Sequence, residues 1–335
     1  MPKEILYYKD TQILTLDGVL IPVVDQTSSD VPLVCVDLIT YNQEAHVAQA
    51  IESILMQQTD FKFVLVIGED CSTDSTRSIV KSYQQKHPEN IILKLPEKNL
   101  GMLYNETTNI ALCQAKYIAW CEGDDYWSDP LKLQKQVDFL ESNPDYILSF
   151  HAMKVLEPSG KLVPDYITIV PENHETVIDL ARHGNYIHTP SAMFRNIIKD
   201  FPFEYYECCV ADYFTYMMLA QHGKLKKLDD VMAVYRVGIG TFSGEIRTKR
   251  SRYNVNLYTA LLSYLTDETQ KKLIYNHYKS AVEKLEKSIH KDYTTVFVSS
   301  NPFFLTVKYI QNYYHEPQKI INKIRSKLFK AKKKT

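Results

Sequence analysis

The sequence predicts an α/β fold built on a doubly wound, mainly parallel sheet. Two observations lead to this prediction. From about residue 31 to residue 150, short apolar runs of strand length alternate with segments of about a dozen residues that have helical spacing. Polar loops also follow several of the apolar runs directly. Because ligands of such sheets bind beyond the carboxyl ends of the strands, we expect these loops to converge on one site.

The apolar runs predict five strands in this region, and the first of them is apolar except for Asp37. The first helix is predicted from Val47, Ala50, Ile51 and Ile54, which recur with the spacing of one helical face. Pro130 stands at the predicted start of the last helix, a position that proline prefers. The predicted strands are 33–39, 63–67, 91–95, 117–121 and 146–150, and the helices between them are 45–57, 75–83, 102–114 and 130–141.

The regular alternation ends after residue 150. We expect a hairpin over 153–163, strands at 187–194 and 232–235, and a helix at 212–220 between them. Residues 248–290 have a mostly helical pattern, which predicts a C-terminal helical extension.

The domain boundaries follow from these patterns. The predicted units are an N-terminal extension, 1–30, with a hairpin around Asp17-Gly18; the main domain, 31–245, with halves 31–150 and 151–245; a helical region, 246–315; and a basic tail, 316–335.

Composition excludes several classes of protein. Of the 335 residues 45% are apolar and 24% charged, which is typical of globular proteins. No apolar run is long enough to predict a transmembrane helix. The six cysteines form no CxxC pair, and the first residues lack the pattern of a signal peptide. We therefore expect a reduced, cytoplasmic protein.

Charge is distributed unevenly along the chain. The net charge is −1, but residues 316–335 carry +7, which leaves −8 for residues 1–315. An acidic body argues against nucleic acid as a partner. The tail has isoleucines and a leucine at helical spacing among its lysines, which is typical of a helix on the anionic inner face of a membrane. A solvated terminal helix is the alternative.

The most informative motif is Glu122-Gly123-Asp124-Asp125, directly after a predicted strand. Three carboxylates within four residues repel one another unless a cation is present, and Mg²⁺ or Mn²⁺ prefers such oxygen ligands. A solvated acidic turn before the next helix is the alternative. Neither GxGxxG nor a P-loop occurs in the sequence.

Two further polar loops follow predicted strands. In the loop 69–74, Asp70 lies closest to the strand end, where its carboxylate could accept an N–H from a nucleotide base. In the loop Thr40-Tyr41-Asn42-Gln43-Glu44, Tyr41 could stack on a ring.

These motifs and their order resemble the family 2 glycosyltransferases, which have a GT-A fold, over about residues 32–240. The resemblance places Glu122-Gly123-Asp124-Asp125 at the family's DxD position. It implies Mn²⁺ or Mg²⁺ held by Asp124 and Asp125, with Asp212 as the catalytic base. The donor nucleotide contacts that it implies are Thr40, Tyr41, Asn42, Glu44, Asp70, Asn105 and Asp124.

The sequence also departs from the family pattern. Glu106 and Thr107 stand where members usually carry Arg and Asn, Ala211 replaces a Glu, and Gly238 replaces a His.

Trp127 and His188 are candidates for the wall of an acceptor site. Trp127 is equally compatible with a core aromatic, and the segment around His188 with a turn.

Together these observations predict a metal-dependent, inverting glycosyltransferase of the hexosyl or N-acetylhexosaminyl type. Its expected donor is a nucleotide sugar, most simply linked to uridine diphosphate, and its expected acceptor is a glycan or lipid-linked oligosaccharide of surface polysaccharide synthesis. A peripheral position at the inner face of the membrane would suit a lipid-linked acceptor. The alternatives are a sugar-nucleotide nucleotidyltransferase and a non-catalytic scaffold that binds nucleotide sugars.

Overall fold

The computed structural model describes residues 4–8, 11–15, 31–208, 210–240 and 244–298, with side chains between 31 and 289. The strands in these ranges are β1 Glu4–Tyr8, β2 Thr11–Thr15, β3 Val34–Thr40, β4 Phe63–Glu69, β5 Ile91–Pro96, β6 Tyr117–Trp120, β7 Tyr126–Trp127, β8 Tyr146–Leu156, β9 Leu162–Pro164, β10 Met193–Arg195 and β11 Lys224–Arg236. The helices are α1 Val47–Leu55, α2 Thr76–Lys86, α3 Met102–Ala111, α4 Lys132–Ser142, α5 Val177–His183, α6 Ala211–Leu219, α7 Arg247–Tyr264 and α8 Glu268–Val298.

All described strands belong to one mixed sheet with the order β2-β1-β5-β4-β3-β6-β10-β8-β11-β7, and β9 pairs with β8. The central run β5-β4-β3-β6 is parallel, as the alternation of strands and helices predicts. Strand β10 lies antiparallel between β6 and β8, and β8 pairs with β11 in parallel. The predicted doubly wound, mainly parallel sheet is therefore confirmed.

The core lies on both faces of this sheet. Successive residues of a strand point to opposite faces, so Val34 and Val36 pack in one cluster while Cys35 packs in the other. Helix α1 buries Val47, Ala50, Ile51 and Ile54, the residues whose spacing predicts it. With both faces covered by helices, the ends of the parallel strands are where a ligand can reach the sheet.

The C-terminal helices α7 and α8 are part of the same body, which confirms the predicted helical extension. Leu257 and Leu261 of α7 and Ile274 of α8 are buried in the cluster that contains Phe214 of α6. This packing brings both helices beside the start of α6, where Asp212 lies.

Some elements differ from the prediction. The expected strand 187–194 is only Met193–Arg195, preceded by a 3₁₀ turn over Thr189–Ser191, because Pro190 lacks the N–H that a strand there would donate. The described N-terminal hairpin is β1 with β2. The turn and second strand expected around Asp17-Gly18, and the tail 316–335, lie outside the described residues.

The described helices include none that is both long enough and apolar enough to cross a bilayer. The boundaries of the predicted units stay predictions.

Candidate active site

A cleft of about 640 Å³ opens at the carboxyl ends of β3, β4 and β6. Its volume lies within the usual range of ligand-binding sites. Among the residues that the sequence predicts as catalytic, metal, donor or acceptor contacts, seven line this cleft: Thr40, Tyr41, Asp70, Asn105, Asp124, His188 and Asp212. The sequence therefore brings most of its candidate residues to one place. Asn42, Glu44, Asp125 and Trp127 are not among its lining residues.

The acidic loop after β6 is packed tightly against the loop after β3. Gly123 donates its N–H to the carbonyl of Ile39 at 3.2 Å. A Cβ at Gly123 would clash with Oε1 of Gln43 and lie 2.7 Å from Oγ1 of Thr40, so this close approach favours glycine. The close packing fixes where the carboxylates on either side of Gly123 point.

The acidic loop offers three carboxylates to a cation. One oxygen each of Glu122, Asp124 and Asp125 lies within 4.8 Å of the others. Burial, followed by the charges of the neighbouring carboxylates, raises the pKa of Glu122 and of Asp125 well above the usual range. Such a crowded group is the donor set that a hard divalent cation stabilises.

A metal ion fits this loop, and its three carboxylates have different surroundings. Asp125 accepts the backbone N–H of Arg236 at Oδ1, at 2.7 Å, and its Oδ2 is buried without a hydrogen-bond partner. Glu122 and Asp124 line the cleft and Asp125 does not. Glu122 and Asp124 are therefore the carboxylates of this loop that a ligand in the cleft can reach, while Asp125 is held by the end of β11.

Asp70 has a structural role at the start of α3. Its Oδ1 accepts the N–H of Leu100 at 2.7 Å, and its Oδ2 accepts the N–H of Gly101 at 2.9 Å. Burial raises the pKa of Asp70, and the two backbone donors offset part of that rise. Each carboxylate oxygen can still accept a second hydrogen bond, so Asp70 remains able to bind a ligand N–H in the cleft.

The loop after β3 is braced by the loop after β4. The side-chain oxygen of Asn42, a residue with a positive φ of 53°, accepts the N–H of Thr73 at 2.8 Å. Glu44 accepts the N–H of Ser75 at 2.8 Å. These two predicted donor contacts hold the loops together instead of lining the cleft. Tyr41 projects from the same loop with 45% of its surface exposed, as a stacking residue requires.

The floor of the cleft carries buried acids that sequence reasoning does not assign to the site. Burial raises the pKa of Asp37 to about 6, and burial together with the charge of Asp37 raises the pKa of Glu106 to about 8. Asn109 and the indole N–H of Trp120 both donate to Asp37. The one signal for Asp37 is its position as a charged residue inside an otherwise apolar strand.

Asp212 lies in the first turn of α6 and faces the cleft. Its Oδ1 accepts a hydrogen bond from the backbone N–H of Tyr213 at 2.7 Å, and its Oδ2 accepts one from the side-chain Nδ2 of Asn185 at 2.9 Å. Burial raises its pKa, while these donors lower it. A carboxylate held in this way can accept a proton from a group bound in the cleft.

The two aromatic candidates for an acceptor wall have different environments. Trp127 is buried in the core. Its indole N–H donates a hydrogen bond to the carbonyl oxygen of Pro190 at 2.9 Å, and Nζ of Lys132 lies 4.0 Å from the centroid of its ring. Trp127 is therefore the core aromatic that the sequence leaves open as the alternative to an acceptor wall. His188 lines the cleft, and its Nε2 lies 3.0 Å from Oδ2 of Asp165.

The comparisons with known proteins agree with this geometry. The model of the family described as Glycosyl transferase family 2 matches residues 35–201. An uncharacterized protein of Mycobacterium tuberculosis is 31% identical over 200 residues, which are 59% of this chain and 57% of that protein. The putative teichuronic acid biosynthesis glycosyltransferase TuaG of Bacillus subtilis is 33% identical over 109 residues, 32% of this chain and 42% of TuaG. The matches thus span about half the length of these relatives.

Two solved structures have the same fold. Staphylococcus aureus TarS 1–349 in complex with UDP aligns with a TM-score of 0.56 and 18% identity, over 83% of this chain and 78% of that one. The mannosyltransferase PcManGT of Pyrobaculum calidifontis, in complex with GDP-Man and Mn²⁺, aligns with a TM-score of 0.56 and 16% identity, over 86% and 83%. These likenesses show a GT-A-like fold. The family model, which matches residues 35–201, about half of the chain, makes the chain a member of glycosyl transferase family 2.

Proposed function

We propose that this protein is a metal-dependent, inverting glycosyltransferase that uses a nucleotide-sugar donor. One observation carries the proposal: Glu122 and Asp124, which fit a divalent cation, line the same cleft as Asp212, a carboxylate in position to accept a proton. A glycosyl transfer needs both functions, one at the departing diphosphate and one at the attacking hydroxyl.

The donor would occupy the part of the cleft formed by the loops after β3, β4 and β6. Tyr41 would stack on the nucleotide base, and Asp70 would accept an N–H from it. Glu122 and Asp124 would hold Mn²⁺ or Mg²⁺, which neutralises the charge that develops on the diphosphate as it leaves. The complex of TarS with UDP supports a uridine-linked donor, although PcManGT is a complex with GDP-Man.

The acceptor would approach from the side of α6. Its hydroxyl oxygen would form a bond to the anomeric carbon while the bond from that carbon to the diphosphate breaks, and Asp212 would receive the hydroxyl proton. A single displacement of this kind inverts the anomeric centre. Asn185 would keep the Asp212 carboxylate oriented throughout. His188 stays a candidate for the acceptor wall because it lines the cleft.

The acceptor class that we propose is a glycan or lipid-linked oligosaccharide of polysaccharide synthesis, with a hexosyl or N-acetylhexosaminyl group transferred. The relationship to TuaG supports this class. The tail 316–335, with eight basic residues, would attach the protein to an anionic membrane surface. Co-sedimentation with anionic vesicles, compared between the chain and a variant with the last four lysines changed to Glu, tests the attachment.

Calorimetry and a hydrolysis assay test the proposed activity. We expect UDP to bind at least about tenfold more tightly with Mn²⁺ than with EDTA, since a cation held by the carboxylates would offset the charge of the phosphates. We also expect slow, Mn²⁺-dependent hydrolysis of UDP-GlcNAc or UDP-glucose. Metal-dependent binding of UDP or GDP with no hydrolysis of their sugar conjugates would favour a binding scaffold. Binding that does not depend on the metal would contradict the proposal.

A further inference from the structure

The cleft continues past Asp212 to a part of the chain outside the family match. Asn254, Leu257 and Tyr258 of α7 and His277 of α8 line it, although the family model ends at residue 201. These helices therefore contribute a surface to the cleft that the family match does not cover. Its position on the Asp212 side places it with the acceptor half of the site.

Two aromatic rings form this surface. The rings of Tyr258 and His277 stack with centroids 5.5 Å apart and an angle of 20° between their planes. Tyr258 also meets the ring of Tyr213 edge to face at 6.3 Å. Tyr213 is fixed in turn, because its hydroxyl donates to the carbonyl of Leu180 at 3.0 Å. The stacked pair is thus held rigidly and does not need to be ordered by a ligand.

His277 has a hydrogen-bonding atom left for a ligand. Its Nε2 lies 3.0 Å from the carbonyl oxygen of Arg182, which can only accept, so Nε2 carries the hydrogen. In the neutral ring Nδ1 is then an acceptor, and it has no hydrogen-bond partner among residues 31–208, 210–240 and 244–289. A ligand hydroxyl can donate to this atom.

Gly184 connects the stacked pair to the candidate catalytic base. It has a positive φ of 78°, and a Cβ there would lie 3.5 Å from Cε1 of His277. The next residue, Asn185, is the hydrogen-bond donor to Asp212. One short stretch of chain therefore contacts the aromatic pair at one end and Asp212 at the other, which makes the wall between them continuous.

We propose that the Tyr258–His277 pair is a distal acceptor subsite, which binds a sugar ring of a glycan acceptor away from the reacting hydroxyl. The inference rests on the proposed function and extends it to acceptors of two or more sugars. A sugar ring offers C–H groups to an aromatic face and hydroxyls to a polar rim. The surroundings have this mixed character, since Asn185, Asn254 and the exposed His183 line the same cleft as the two rings.

Glycan binding tests the subsite directly. The protein is applied, with UDP and Mn²⁺, to an array of immobilised mono-, di- and oligosaccharides, and the best soluble oligosaccharide is then titrated by calorimetry. The variants are Tyr258→Ala and His277→Gln, the second of which keeps an N–H donor for Arg182. Tyr275→Ala is the matched control: Tyr275 stacks on Tyr278 of the same helix, is half exposed, and does not line the cleft.

We expect the protein to bind oligosaccharides more tightly than the corresponding monosaccharides. Tyr258→Ala and His277→Gln should each weaken oligosaccharide binding at least about tenfold, the scale of one lost ring contact, while Tyr275→Ala changes it less than twofold. Two results would overturn the subsite: unchanged affinity in a folded Tyr258→Ala or His277→Gln variant, or no preference for oligosaccharides in protein that binds UDP with Mn²⁺. Loss of UDP binding itself would instead count against the proposed function.

Discussion

Arg236 donates its backbone N–H to Oδ1 of Asp125 at 2.7 Å, although the two residues are 111 positions apart. The Arg236 guanidinium also donates to the backbone carbonyl of Asp124. The end of β11 thereby fixes the acidic loop and turns Asp125 away from the cleft. Glu122 and Asp124 line the cleft and are accessible to a ligand there.

The first prediction separates these carboxylates. Glu122→Gln and Asp124→Asn should each reduce the Mn²⁺-dependent part of UDP affinity at least about tenfold, because each removes a charged oxygen ligand. Asp125→Asn should reduce it less than about threefold, since the amide oxygen can still accept the Arg236 N–H. Calorimetry with and without Mn²⁺ measures the difference. Equal losses in Glu122→Gln and Asp125→Asn would show that Asp125 is a direct ligand.

This distinction could not be made from the sequence. A run of acids at a strand end predicts a cation site, and the order of the loops places Asp70 and Asp124 at one edge of the sheet, whereas Asp212 is predicted only by the family resemblance. Which carboxylate faces the cleft depends on a hydrogen bond to a residue 111 positions away, and local pattern carries no information about it.

The sequence could not decide whether Trp127 lies in the core or at the cleft, for a similar reason. Trp127 pairs with Ala233 of β11, and this pairing puts its side chain into the core. The antiparallel insertion of β10 between β6 and β8 is also set by contacts between distant segments. The parallel part of the sheet, in contrast, follows from local alternation, which is why it could be predicted.

The second prediction concerns Glu106 on the cleft floor. Its pKa of about 8 in the folded protein lies above the ordinary value near 4.5, so the folded state binds its proton more tightly than the unfolded state. Stability from this group is therefore greatest at low pH and falls as the pH rises through 4.5 toward 8. Because glutamine does not ionise, the Glu106→Gln variant should not lose this stability as the pH rises.

In metal-free buffer, the melting temperature of Glu106→Gln should exceed that of the wild type at pH 9 by about 2–4 °C or more. The advantage should shrink as the pH falls to 4. Glu172→Gln, at an exposed position, is the control, and its melting temperature should differ from that of the wild type by the same amount at every pH. A melting-temperature difference for Glu106→Gln that does not vary with pH would place the Glu106 pKa near its ordinary value.

The third prediction concerns the amide that orients Asp212. Asn185 accepts the N–H of Ile187 at its Oδ1, at 3.1 Å, which turns its Nδ2 toward Asp212. This donor stabilises the charged carboxylate and so lowers the Asp212 pKa. In Asn185→Ala the pKa of Asp212 should rise, and the acidic limb of the pH–rate profile should move to higher pH. Asn90→Ala, far along the sequence and exposed, should leave the profile unchanged. An acidic limb that stays in place would mean that another group sets it.

The last prediction concerns the base itself. Asp212→Asn keeps the size of the side chain and an oxygen that can accept the N–H of Tyr213, but it cannot take up a proton. If Asp212 deprotonates the acceptor, kcat should fall by about 10²–10⁴-fold. The Kd for UDP with Mn²⁺ should change less than twofold, because Asp212 lies on α6, away from the loops that would hold the nucleotide. If Asp212 only stabilised the start of helix α6, Asn would replace it with little loss of stability, and the melting temperature and kcat would both stay near their wild-type values. Turnover, nucleotide affinity and melting temperature measured on this one variant therefore distinguish the two roles, and near-normal turnover with a glycan acceptor would show that the proton goes to a different group.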